Sequence, residues 1–351
     1  MSITNIIVTL LSLTTTLISF NSIATKTFGN EKEILFKSGE QSVVAFEGTI
    51  QVLENRHNKT SRTIPLTYVR FPATTNHKGS PIVYLSGGPG GSGISTAQYA
   101  NFRFPLFMAL REFGDVIALD QRGAGKSRIV PTCESKQTLP LSERLSESKV
   151  TKLYRAAAKE CVDFWDKEGA DVRGYTTVQS AHDLDDLRKH LQAEKLTLWG
   201  ISYGTHLALA SLKVMENHID KMVLASAEGL DQTIKLPART DAYFKRLQQA
   251  IDLQPKAKAA YPDIIGLAKR VNRKLEANPI RITIPKKEGD SVEFLFQKSH
   301  MQGIASATIS DPHRYVPMLL KIYSGIDNGV TAMLPRVIER AGLMDAKISF
   351  D

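Results

Sequence analysis

The chain has 351 residues, 42% hydrophobic and 23% charged, an ordinary globular composition and enough length for one large domain with an insertion or for two domains. Its net charge of +9 comes from Lys and Arg interleaved with acids, and no basic stripe with aromatics appears. That pattern excludes nucleic acid as the expected partner and leaves only a weak attraction to anionic surfaces.

Residues 6–20 are uncharged and rich in Leu, Ile and Thr, and Ser22, Ile23 and Ala24 follow as a small-x-small cleavage site. The run is shorter than the ~20 apolar residues of a membrane span. It reads as a signal peptide over 1–24, so the mature chain is expected to be periplasmic or extracellular, without stable membrane insertion. An uncleaved anchor and a misplaced start codon are the alternatives, because no Lys or Arg precedes the run.

Residues 41–53 and 62–71 alternate apolar and polar and predict two antiparallel strands. Residues 81–86 are a short apolar strand that empties into Gly-Gly-Pro-Gly-Gly-Ser-Gly at 87–93. Residues 115–120 form another, leaving into Gln-Arg-Gly-Ala-Gly-Lys-Ser at 121–127. Helical spacing over 180–195 places Leu184, Leu187 and Leu191 on one face. Residues 196–201 then read as a buried strand, 203–216 as a helix and 221–227 as a sixth strand. Nearly continuous apolar strands alternating with helices predict a mostly parallel sheet covered on both faces. Beyond about residue 230 the pattern turns helical, over 241–253, 257–277, 297–309 and 312–326, with a hairpin between 280 and 296. The expected division is a sheet core at 25–230 and a helical cap at 231–351.

Two cysteines, Cys133 and Cys161, permit one disulfide in an exported chain; two unrelated free thiols are the alternative. No His or Cys stands at metal-ligand spacing from them, so no metal is expected. Trp165, Tyr175 and Trp199 read as packing residues.

The richest signal is Gly200-Ile201-Ser202-Tyr203-Gly204, which turns a strand sharply into a helix at a serine. Such a bend presents the Ser202 hydroxyl at the C-terminal edge of the sheet. The glycines at 88, 90 and 93 match a dinucleotide fingerprint, but Pro89 and the lack of a suitable acid about 20 residues on speak against that use. An oxyanion-hole loop fits better, with backbone N–H groups of Gly88 and Tyr203 as the donors. Residues 123–127 resemble the end of a phosphate-binding loop, yet its first glycine would fall on Asp120. Asp120 and Arg122 instead read as structural groups that fix the loop by charge-assisted hydrogen bonds.

Taken together, the runs at 87–93, 120–127 and 200–204, in this order and spacing, resemble the prolyl and tripeptidyl aminopeptidase branch of the α/β-hydrolases, over roughly residues 40–230. An exported chain with a cysteine shortly after the 120–123 turn is most similar to the secreted tripeptidyl-type members. The resemblance implies an α/β-hydrolase fold with an inserted helical cap and a Cys133–Cys161 disulfide. It also implies a Ser-His-Asp hydrolase, acting through an acyl-enzyme on Ser202, with a peptide or small ester or amide as substrate and no cofactor. Acidic groups near the cap hold the substrate amine in such enzymes, and Glu228 is a candidate for that role. The acid and histidine of the triad are expected beyond residue 351, leaving the sheet incomplete at its C-terminal side.

None of the histidines that follow or precede Ser202 reads as its base. His206 is expected to be carried behind the sheet by the helix, and His218 to lie at the opposite edge. His300 and His313 belong to the cap, and His182 and His190 read as surface helix residues. The alternatives to a working exported peptidase are a homologue without turnover and a non-catalytic binding protein on the same scaffold.

Overall fold

The computed structural model describes residues 26–76, 79–231, 236–285, 290–308 and 311–350; the signal peptide assigned to 1–24 lies outside them. Strands β1 (Lys32–Ser38), β2 (Gln41–Leu53) and β3 (Thr63–Phe71) form an antiparallel meander. Strand β4 (Ile82–Leu85), helices α1 (Gly93–Ala97) and α2 (Arg103–Leu110), and strand β5 (Val116–Leu119) follow. The chain continues through β6 (Cys133–Thr138), α3 (Glu147–Lys167), α4 (Thr177–His190), β7 (Leu196–Ile201), α5 (Tyr203–Met215) and β8 (Ile219–Ala225). Seven strands make one mixed sheet in the order β1-β2-β3-β5-β4-β7-β8, parallel from β5 to β8.

Both faces of that sheet are covered, which is why β4 and β5 are buried at every position. On one face Leu184 and Leu187 of α4 and Leu207 and Ala208 of α5 pack on Val83, Leu85 and Leu198. On the other, Ile94, Phe104 and Phe107 pack on Tyr84, Val116 and Trp199. Each such large side chain contributes about 2 kcal/mol by leaving water. Among the described residues β8 ends the sheet with an unpaired edge, where Val223 is 56% exposed.

Helix α4 starts three residues before the predicted helix because Thr176 caps it, accepting from the Gln179 N–H. The sheet's last strand is its seventh, not its sixth. Strand β1 escaped the sequence reading because Lys32, Glu33 and Lys37 dilute its apolar pattern. Strand β6, with the sequence Cys-Glu-Ser-Lys-Gln-Thr, has no apolar alternation. It is held by the Cys133–Cys161 disulfide to α3 and by pairing with the chain-terminal strand β11 (Lys347–Phe350).

The segment expected to form the cap contains α6 (Pro237–Asp252), α7 (Pro255–Ala260), α8 (Ile264–Ala277), β9 (Ile280–Ile284), β10 (Val292–Phe296), α9 (Lys298–Thr308), α10 (Pro312–Asp327) and α11 (Leu334–Arg340). It has its own core, with Phe244, Val271, Phe296, Leu319 and Ile338. The single helix predicted over 257–277 is two helices. Pro262 lacks an N–H, and Asp263 accepts from Gly266 N–H at 2.7 Å to start α8 afresh. Among the described residues no helix is long and apolar enough to cross a membrane.

His182 and His190 are half-buried rather than surface residues. The His190 Nε2 lies 3.0 Å from the Tyr68 hydroxyl, which draws that face of α4 onto β3. Burial lowers the pKa of His182, His190 and His300 from the ordinary 6.5. A lowered folded-state pKa means that the unfolded chain takes up these protons first, so stability is full above 6.5 and declines as pH falls below it. Urea midpoints are expected to drop between pH 7.5 and 5; a flat or rising midpoint would contradict this.

Candidate active site

Strand β4 leads to β5 on one side, while β7 pairs with its other side. The connections leaving β4 and β7 therefore diverge, opening a crevice at the strands' C-terminal ends, the place where open α/β sheets hold ligands. Leu85 and Gly200 are register partners there. Both the glycine-rich loop and Ser202 begin just beyond them.

Ser202 occupies left-handed backbone, with φ 53° and ψ −124°. A non-glycine residue held there costs about 1–3 kcal/mol and needs support from its surroundings. Its N–H donates to the Ala225 carbonyl at 3.0 Å, at the end of β8. Its own carbonyl accepts from the Thr205 N–H at 2.8 Å and the Thr205 hydroxyl at 2.6 Å. Packing excludes side chains on either side: a Cβ on Gly204 would lie 2.0 Å from the Leu85 carbonyl oxygen, and one on Gly200 would lie 2.6 Å from the Gly204 oxygen.

The glycine-rich loop lies against this turn. The position of a Cβ on Gly87 is 3.1 Å from Ser202 Cβ and 3.6 Å from its Oγ. Gly88 follows, with φ 124°. Tyr203 opens α5; its hydroxyl meets Thr177 Oγ1 at 3.1 Å, and burial raises its pKa.

Asp120 and Arg122 hold this crevice in shape, as their sequence setting suggested. Fully buried Asp120 accepts from the Ser92 hydroxyl at 2.6 Å, the Ile94 N–H at 3.0 Å and the Lys126 N–H at 2.7 Å. It thus ties the loop after β4 to the turn after β5. Arg122 forks onto Asp183 at 2.7 and 2.6 Å and donates to the carbonyls of Glu54 and Gly174, both at 2.6 Å. The aromatic residues act as packing and scaffold: Trp199 is buried, Tyr175 donates to Glu54 at 3.1 Å and Trp165 to the Pro131 carbonyl at 2.9 Å.

The Ser202 hydroxyl donates to Glu228 Oε1 at 3.3 Å. The Glu228 N–H in turn donates to Thr205 Oγ1 at 2.8 Å. His206 is not carried behind the sheet. It lies in the first turn of α5, only about 6 Å of rise from the bend. There its Nδ1 is 3.2 Å from the Gly229 carbonyl, and its ring stacks on Tyr203 with centroids 5.8 Å apart. His218 meets the Glu194 carbonyl, and His300 packs between Phe294 and Phe296 while accepting from the Gln297 N–H. His313 is exposed at the start of α10. Among the described residues no histidine is hydrogen-bonded to Ser202, and no group of three His, Cys, Asp or Glu is placed to hold a metal. Sequence reasoning missed the Thr205 and His206 contacts. Their only trace was a Thr-His pair just after the Gly-x-Ser-x-Gly turn and a Glu-Gly pair just after a strand.

Residues 80–293 match the family model described as alpha/beta hydrolase fold. The serine protease Hip1 of Mycobacterium tuberculosis (strain ATCC 25618 / H37Rv) is 32% identical over 171 residues, 46% of this chain and 32% of that protein. The tripeptidyl aminopeptidase of Streptomyces coelicolor is 27% identical over 160 residues, covering 44% and 29%. A probable proline iminopeptidase of the same species is 28% identical over 173 residues, covering 49% and 41%. The chain thus spans well under half the length of these relatives.

Gly204→Ala is expected to force α5 away from β4 and to lower unfolding free energy by about 3 kcal/mol, as overpacking does at an unyielding backbone contact. A denaturant titration showing a change below about 1 kcal/mol would mean that the contact is not binding.

Proposed function

We propose that this chain, which belongs to the α/β-hydrolase fold family, is a serine hydrolase of the aminopeptidase kind, with Ser202 as its nucleophile. The observation that carries this reading is the strained turn at Ser202, set at the crevice between β4 and β7 with a glycine-rich loop against it. A serine held in left-handed backbone by flanking contacts is arranged for exposure to a substrate rather than for packing. In this reading Ser202 Oγ attacks the scissile carbonyl, and the backbone N–H groups of Gly88 and Tyr203 receive the oxyanion. Collapse of that intermediate expels the leaving amine and leaves an acyl-enzyme, which water cleaves. Among the described residues, the histidine that takes the Ser202 proton and the acid that orients it are not assigned.

The relatives' names favour a peptide substrate, and the half-buried carboxylate of Glu228 supplies a partner for its free amine. The disulfide between Cys133 and Cys161 favours an exported chain, since such bonds persist in oxidising compartments. One observation favours a second reading, a homologue without turnover on its own: Ser202 is bonded to Glu228 and, among the described residues, to no histidine.

Hydrolysis of coumarin amides with free and acetylated N-termini separates the two. The first reading expects turnover of free-amine substrates that falls about a thousandfold or more in Ser202→Ala. Turnover that survives in the variant would overturn it. A well-folded chain that cleaves none of them would establish the second.

A further inference from the structure

Helices α6, α8, α9 and α10 border a cavity of about 600 Å³ that no residue of the crevice lines. That volume is in the range of small-molecule sites. Phe244, Ala305 and Tyr323 wall it, and all three belong to the core of this helical segment. The rings of Phe244 and Tyr323 meet edge to face, with centroids 6.3 Å apart.

The polar groups of this cavity set it apart from a packing gap. Asn272 of α8 lines it, and the Asn272 Oδ1 is buried with no hydrogen-bond donor. Among the described residues it is the one buried side-chain oxygen or nitrogen left without a partner. Folded chains rarely leave such an atom unmatched, because its lost hydration is not returned. Tyr323 of α10 is only 3% exposed, and its hydroxyl makes no hydrogen bond among the described residues. Burial pushes its pKa up to about 12, so the hydroxyl remains a donor at neutral pH. An amide and a hydroxyl from two helices therefore border one space without protein partners.

The mouth is cationic. Lys245 of α6 and Lys269 of α8 stand exposed at its edge, and neither is in an ion pair among the described residues. Asp241 is the single acid beside them. Apolar walls call for an apolar body, and the two lysines for a carboxylate. Asn272 and Tyr323 call for a group that both donates and accepts. A secondary amide does both, and it can meet Asn272 whichever way the side-chain amide is turned. A free amine would face two like charges, so the ligand's nitrogen is expected to be acylated.

We propose that this cavity binds an N-acyl amino acid with an apolar side chain. Asn272 and Tyr323 take its amide, and Lys245 and Lys269 take its carboxylate. The site needs neither Ser202 nor Glu228.

Calorimetric titration of the chain with N-acetylphenylalanine reads the site without turnover. N-acetylphenylalaninamide lacks the carboxylate, 3-phenylpropionate the amide and phenylalanine the acyl group. The acylated acid is expected to bind about tenfold or more tightly than each of the three. Asn272→Leu keeps a similar volume while removing the orphaned oxygen. It is expected to weaken binding about tenfold with the urea midpoint unchanged or raised. Lys245→Gln and Lys269→Gln together, both on the surface where folding is not at stake, are expected to erase the preference over N-acetylphenylalaninamide. Glu228→Gln is expected to leave binding as it is. Should Asn272→Leu not fold, Tyr323→Phe and the lysine pair decide the matter. No saturable binding of N-acetylphenylalanine, equal affinity for all four compounds, or an affinity indifferent to the Asn272, Tyr323 and lysine variants would each overturn the proposal. Binding lost in Glu228→Gln would place the ligand in the crevice and overturn it as well.

Discussion

The contact between Gly204 and the Leu85 carbonyl leaves no space for a side chain, and the position of Ser202 follows from it. Because α5 begins hard against β4, the chain leaving β7 must reverse within a few residues. Ser202 absorbs that reversal in left-handed backbone. The strain is held by three strands at once: β7 delivers the residue, β4 stops the helix, and the last residue of β8 accepts its N–H. A serine in an ordinary strand-to-helix connection would have no such support.

Around this turn lies a second layer of buried charge. Asp120 and Arg122 stabilise the fold less than they specify loop shape, since taking ions out of water consumes most of what their bonds return. Their contacts reach Ser92 and Ile94 after β4, Lys126 after β5, Glu54 after β2, Gly174 before α4 and Asp183 within α4. An apolar replacement would leave those backbone groups without partners. The glycine-rich loop then loses its fixed relation to Ser202, and with it the placement of the Gly88 N–H.

Much of this was legible in the sequence because it is local. Apolar runs bounded by glycine-rich turns mark β4, β5 and β7 directly, and Gly200-x-Ser202-x-Gly204 marks a bend whose steric reason is visible in the residue types themselves. The spacing of Leu184, Leu187 and Leu191 marks the buried face of α4. What escaped depends on distant partners. Strand β6 has a polar sequence and exists because a disulfide and the strand at 347–350 hold it. Strand β1 is amphipathic but diluted by charge, and registry with β2 sustains it. His206 was misplaced because a helix was treated as carrying its residues away at once, whereas its first turn stays at the crevice. The Thr205–Glu228 bond joins residues 23 apart in sequence, and no periodicity signals such a pair.

The central claim, that the fold presents Ser202 as an activated nucleophile, is tested most directly by treating the folded chain with a fluorophosphonate and reading intact mass beside Ser202→Ala. The account predicts one adduct per chain, mapped to Ser202 and absent from the variant. An adduct on another residue, or labelling that persists in Ser202→Ala, would contradict it.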